Sequence, residues 1–158
     1  MSEFHLVYLN LGSNIQPETN LPRAVTLLEQ YGEVLKVSNV WESEPVGTEG
    51  PNYLNVCVLF KSTFAKRELK ERIAHSIEHQ LGRRRSRDKF APRPIDVDIV
   101  LFDDVSTNNE FWNLAYVVVP LADIYPNLQN PLTSETISET ATRLRQGAWL
   151  EMRRGIFG

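Results

Sequence analysis

The chain has 158 residues, the size of one ordinary domain and enough to bury a real core. Hydrophobic residues make up 42% and charged residues 23%, a globular composition that excludes a disordered or fibrous chain. Net charge is −3 and there is one cysteine, Cys57, which excludes an internal disulfide and a zinc–cysteine site. No run approaches the ~20 apolar residues that span a bilayer. Residues 1–9 carry Glu3 and lack a basic start with an apolar run behind it, so no secretory signal is expected. The expectation is a cytoplasmic protein with a single domain over residues 1–158, monomeric and away from membranes.

His5 to Leu11 alternates, with Leu6 and Tyr8 on one face and Val7, Leu9 and Leu11 on the other, and predicts a strand. Gly12-Ser13-Asn14 reads as a turn, and Pro17 falls in the loop behind it. Leu21, Ala24, Val25, Leu28 and Tyr31 form one helical stripe, stopped by Gly32. Val34 to Trp41 predicts a second strand. Glu42 to Pro51, with Pro45, Gly47, Gly50 and Pro51, predicts a long loop. Tyr53 to Phe60 is apolar and β-branched, a strand with both faces buried. Glu68 to Leu81 predicts a helix with Leu69, Ile73, Ile77 and Leu81 in its stripe, ended by Gly82. Ile95 to Phe102 predicts a fourth strand, Tyr116 to Val119 a further one, and Ser134 to Leu144 a last helix. The order β-α-β-β-α-β gives the expected fold class: α+β, a ferredoxin-like βαββαβ sandwich with helices on one face and C-terminal additions. The other face of the sheet then needs a cover, or holds a ligand.

The distribution of charge says more than its total. Arg83, Arg84, Arg85, Arg87, Lys89 and Arg93 stand in one loop against a single acid, Asp88, whereas 94–142 holds no Lys or Arg. A basic loop running into an acidic half suits a compact anion held with metal ions better than nucleic acid. Asp96 and Asp98 lie on one face of the fourth strand, about 7 Å apart along it. Two carboxylates on an apolar strand are costly to bury unless a cation joins them, and magnesium with substrate phosphates is the natural partner. A solvated strand edge with two ordinary aspartates fits the spacing equally well. The arginines offer paired donors to phosphate oxygens, although a solvated basic loop is the commoner fate of such a cluster. Tyr53 and Asn55 share a strand face, offering a ring to stack on and an amide to pair with a heteroaromatic edge; a core tyrosine and a backbone-paired amide fit as well. His75 and His79 lie one turn apart on a helix but lack the His-Glu-x-x-His order of a metalloprotease. Cys57, inside a buried strand, reads as core.

Leu11-Gly12-Ser13-Asn14, Glu44-Pro45-Val46-Gly47, Tyr53-Leu54-Asn55 and the run from Arg93 to Phe102 resemble the 6-hydroxymethyl-7,8-dihydropterin pyrophosphokinase family of folate biosynthesis. The resemblance runs from about Tyr8 to Phe102. It implies a ferredoxin-like fold, ATP as co-substrate, two Mg2+ ions, and transfer of pyrophosphate to the pterin hydroxymethyl group. Carried over by residue, Asp96 and Asp98 would hold both metals. Arg83 and Arg93 would act with them in catalysis. His75, Glu78, Arg83, Arg85, Lys89, Arg93 and Ile99 would meet ATP. Ser43, Val46, Tyr53, Asn55, Phe90 and Tyr116 would form the pterin pocket, with Tyr53 and Tyr116 as its stacking plates.

One departure stands out. Past Phe102 the family carries a Pro-His pair and an arginine ahead of the second aromatic. Here 103–114 holds no His, Arg or Lys, and Leu114 takes the place of the arginine. Two further readings therefore stand beside an active enzyme: a catalytically weak relative that binds a pterin or nucleotide, and an RNA-binding module of ferredoxin-like fold. Acids beside the basic loop would repel RNA, so no nucleic-acid partner is expected.

Overall fold

A computed structural model describes residues 3–47, 49–83, 91–106 and 108–157. The strands are β1 (His5–Ser13), β2 (Glu33–Val37), β3 (Val40–Ser43), β4 (Tyr53–Ser62), β5 (Asp96–Phe102), β6 (Val105–Ser106) and β7 (Leu150–Arg153). The helices are α1 (Pro17–Leu28), α2 (Lys66–Glu68), α3 (His75–Gln80), α4 (Ala115–Ile124) and α5 (Ile137–Arg145). A π-helical turn, Leu69–Ala74, joins α2 to α3, and a 3-10 turn, Asn109–Asn113, precedes α4. Among the described residues the strands form one sheet, ordered β6-β5-β1-β4-β3-β7, with β2 also paired to β4. All pairings are antiparallel.

The sheet is covered on both faces. Val7, Leu9 and Leu11 of β1 join Val56, Val58 and Phe60 of β4 under α1 and the α2–α3 segment. Tyr8, Cys57, Leu59 and Val100 face the other way and pack against Phe111, Trp112 and the apolar sides of α4 and α5. Each large aliphatic side chain so buried contributes roughly 1.5–3 kcal/mol. The second face, expected either to need a cover or to hold a ligand, is covered by residues beyond 110.

Local chemistry explains the elements. Pro17 opens α1, where a missing N–H costs nothing, and Asn20 donates to the Ile15 carbonyl at 2.6 Å to close that end. Behind α1 the chain needs glycine at Gly32, because a Cβ there would stand 2.4 Å from the Lys61 carbonyl oxygen. Leu69, Ile73 and Ile77 are fully buried at strict four-residue spacing. That spacing drifts around a regular 3.6-residue helix, and the wider turn at Leu69–Ala74 reduces the drift and keeps the stripe on the core. Thr136 and Glu139 form a capping box at the start of α5.

Other expectations shift. The second strand divides into β2 and β3, and the helix expected from Glu68 begins at Lys66. The Tyr116–Val119 strand is instead part of α4. Val117, Val118, Val119 and Leu121 are all buried there, and a segment covered on all sides follows tertiary packing over β-branched propensity. No helix among the described residues is long and apolar enough to cross a membrane.

Candidate active site

At one end of the second sheet face lies a cleft of about 210 Å³. Its floor comes from four adjacent strands: Asn10 and Gly12 of β1, Asp96 and Asp98 of β5, Tyr53 and Asn55 of β4, and Ser43 of β3. Arg93, the loop residues Glu44, Pro45 and Val46, and Tyr116 at the start of α4 form its walls. Register sets this gathering: Gly12 lies opposite Asp96 on one side and Asn55 on the other, while Asn10 lies opposite Asp98 and Cys57. Side chains of one strand parity face one way, so all of these reach the same side. A Cβ on Gly12 would come within 3.3 Å of Asn55 Oδ1 and 3.7 Å of Tyr53 Cδ1, so glycine keeps the centre of the floor open.

Arg83 Nη1 donates to Glu78 Oε2 at 2.6 Å and to Asp96 Oδ1 at 2.9 Å. Arg93 donates to Asp96 Oδ2 at 3.3 Å. Glu78, buried on α3, also accepts the Val97 N–H at 3.0 Å, which ties that helix to β5. The Arg93 backbone is held from β1: its N–H donates to Asn14 Oδ1 at 2.6 Å, and Asn14 N–H donates to its carbonyl at 3.1 Å. Asn55 donates from Nδ2 to the Trp41 carbonyl at 3.1 Å and to Ser43 Oγ at 2.8 Å, which fixes which end of its amide faces Gly12.

The acids are under tension. Burial first, then the Asp96 charge, a hydrogen bond shared with Asp96 and the Glu78 charge together raise the Asp98 carboxyl from 3.8 to about 7, against the opposing charge of Arg83. The outer face of Asp98 meets solvent, which tempers the shift without reversing it. Burial also raises Glu78, against the Val97 N–H and Arg83. Tyr53 and Tyr116 are both raised, chiefly by burial, and Tyr116 also by Asp98 and Asp96. Both phenols therefore stay neutral and remain available as flat, uncharged plates.

Two carboxylates that repel each other in a wet cleft are a hard, anionic oxygen pair. Among the described residues no three His, Cys, Asp or Glu side chains converge on a metal position. The pair therefore fits Mg2+, which keeps several waters and takes one or two carboxylates with substrate phosphates, rather than an all-protein metal cage.

Of the residues singled out in the sequence, Ser43, Val46, Tyr53, Asn55, Arg93, Asp96, Asp98 and Tyr116 meet in this cleft. Arg83 and Glu78 adjoin it through Asp96. His75 lies exposed one turn before Glu78, whose charge it stabilises. Ile99 turns to the opposite face and packs on the first core. Arg85, Lys89 and Phe90 lie outside the described residues. The sequence reading gives Asn10 no role, and Gly12 and Asn14 none beyond the Leu11–Asn14 motif. Asn10 was visible as a polar residue in an apolar strand at the parity of Tyr8. Gly12-Ser13-Asn14 reads as a turn from its residue types, whereas β1 continues to Ser13 and Asn14 fastens Arg93.

Comparison with known proteins adds a family. A family model described as 7,8-dihydro-6-hydroxymethylpterin-pyrophosphokinase matches residues 8–126. The chain is 34% identical over 152 residues to the 2-amino-4-hydroxy-6-hydroxymethyldihydropteridine pyrophosphokinase of Bacillus subtilis, covering 89% of this chain and 90% of that one. It is 32% identical over 143 residues to the protein of that description from Aquifex aeolicus, covering 84% and 88%. In fold it is similar to wild-type Plasmodium falciparum HPPK-DHPS crystallised with pteroate. The TM-score is 0.68 at 11% identity, over 92% of this chain and 43% of that one. The chain thus spans less than half of that longer protein.

Proposed function

The chain belongs to the 7,8-dihydro-6-hydroxymethylpterin-pyrophosphokinase family, and we propose that its cleft transfers pyrophosphate from ATP to 6-hydroxymethyl-7,8-dihydropterin in folate biosynthesis. The hydroxymethyl oxygen attacks the β-phosphorus, the bond from that phosphorus to the oxygen bridging to the α-phosphate breaks, and AMP leaves with the bridging oxygen. The hydroxyl proton passes to water. One observation carries the assignment: Asp96, Asp98 and Arg93 share a single cleft with Tyr53, Asn55 and Tyr116. Phosphate chemistry and a slot for a flat heterocycle thus adjoin.

Tyr53 and Tyr116 stack on the ring, and Asn55 meets its edge. Arg83 and Arg93, now on Asp96, are close enough to turn to phosphate oxygens, where charge grows as AMP departs. Asp96 and Asp98 would hold two Mg2+ ions, which would supply charge neutralisation to the phosphates. The protein's share is positioning and charge, with no covalent step. The proposal includes a ferredoxin-like reading of the β5-β1-β4-β3 core, and a single-domain monomer acting in the cytoplasm without nucleic acid.

The test is incubation of the chain with ATP and 6-hydroxymethyl-7,8-dihydropterin, with and without Mg2+. AMP and pterin diphosphate should appear in equal amounts, only with the metal. Release of ADP, or no nucleotide product, would overturn the proposal. Binding of both substrates without AMP would favour the weak relative, which the cation-free segment 103–114 allows.

A further inference from the structure

Asn10 sits at the middle of β1, between Asp98 of β5 and Cys57 of β4. It is only 4% exposed, yet it lines the cleft. Its Oδ1 has no hydrogen-bond partner, and no other buried side-chain oxygen or nitrogen among the described residues shares that condition. A desolvated acceptor without a donor destabilises the free fold, so it calls for a partner the free protein lacks. Its immediate surroundings explain the vacancy. The Cys57 thiol is a weak donor, and Asp98 on the other side makes no hydrogen bond to Oδ1. Gly12, two residues along the same face, carries no side chain to block the approach.

We propose that Asn10 is a substrate-binding residue, whose carboxamide oxygen accepts a hydrogen bond from an N–H or O–H of the heterocyclic substrate. This rests on the function proposed above and adds a contact on the side of the ring toward Asp98. The choice of substrate follows from donor chemistry. Ionised phosphates offer acceptors only, so the triphosphate cannot satisfy Oδ1. A reduced pterin brings ring N–H groups and the hydroxymethyl O–H. Asn10 thereby favours an acceptor molecule with a donor at that edge over one that is methylated there.

The test uses Asn10→Leu, nearly isosteric and without polar atoms, and Asn10→Ala, which cannot crowd the cleft. Binding of 6-hydroxymethylpterin is measured by fluorescence with Mg2+ and a non-hydrolysable ATP analogue present. Affinity for the analogue and ligand-free thermal unfolding are measured alongside. Both variants should bind the pterin about three- to tenfold more weakly, the worth of one hydrogen bond. Affinity for the analogue should hold, and N10L should unfold at an unchanged or higher temperature. Pterin affinity within twofold of wild type in both variants overturns the assignment. So does an equal fall in affinity for the analogue, which would mark a contact to metal-bound water, or weaker folding in both variants, which would mark a structural role. Should the wild-type chain itself fail to bind pterin, the proposed function falls first, and this contact with it.

Discussion

A single guanidinium nitrogen of Arg83 lies 2.6 Å from Glu78 and 2.9 Å from Asp96, so one cation bridges a buried helix carboxylate and a carboxylate of the cleft. Without that bridge, two acids would face each other across the α3–β5 contact with little water to separate them. Arg83→Ala is therefore expected to destabilise the fold by about 2–3 kcal/mol, through the unpaired Glu78 that remains. Adding Glu78→Gln to it should recover part of the loss, because an amide needs no cation. Urea denaturation of both variants checks this; an unchanged midpoint in R83A would refute it.

Asp98 stands differently. Its neighbours raise its carboxyl, and Asp96 repels it, so it contributes nothing favourable to the metal-free fold. Asp98→Ala should remove transfer almost wholly, by a factor on the order of 100 or more, as expected when several kcal/mol of metal-borne stabilisation is lost. Its melting temperature should stay level or rise. A fall of several degrees would make the acid pair structural.

The sign of the pH dependence follows from the same shift. The folded chain holds the Asp98 proton up to about pH 7, whereas an ordinary aspartate releases it near 3.8. Between those limits the folded state binds more protons than the unfolded one, so ligand-free stability falls as pH rises through the window and then levels. Asp98→Asn, which cannot ionise, should flatten that slope. Magnesium affinity should tighten over the same range, since protons compete for the ligand. Thermal unfolding across pH 4–8, with titration calorimetry of Mg2+, reads both effects. Equal slopes in wild type and D98N would exclude this origin.

Gly12→Ala places a methyl 3.3 Å from Asn55 Oδ1 and 3.7 Å from the Tyr53 ring. Asn55 donates two hydrogen bonds from Nδ2 to β3 and has little room to yield. KM for the pterin should rise severalfold while KM for ATP stays put. Steady-state kinetics with each substrate varied in turn separates these, and parallel rises in both would argue against the placement.

Much of this was legible in the residues because strand parity is a strict rule. Tyr8 against Val7, Leu9 and Leu11 foretold a sheet with two faces, and the Asp96–Asp98 spacing foretold two acids on one of them. What escaped obeys no short-range rule. Val117 to Val119 with Pro120 behind them reads as extended chain, and only burial on all sides of that segment makes it helical. Leu150–Arg153 has too few residues to show a period, and its strand exists because β3 offers an unpaired rim. Asn14 looked like turn chemistry, since its partner Arg93 lies far along the chain.

That last strand has a practical consequence. β7 zips onto β3 from Val40–Arg153 to Ser43–Leu150, and Arg153 grips Glu42 at 2.6 Å while Asn52 holds the other oxygen of Glu42. A chain clipped ahead of Leu150 would bare a rim of free amides and carbonyls beside the cleft, an invitation to self-association. It would also release Glu42 from Arg153, leaving Asn52 alone on that carboxylate among the described residues. Truncated preparations should thus clump at concentrations where the full chain stays dispersed.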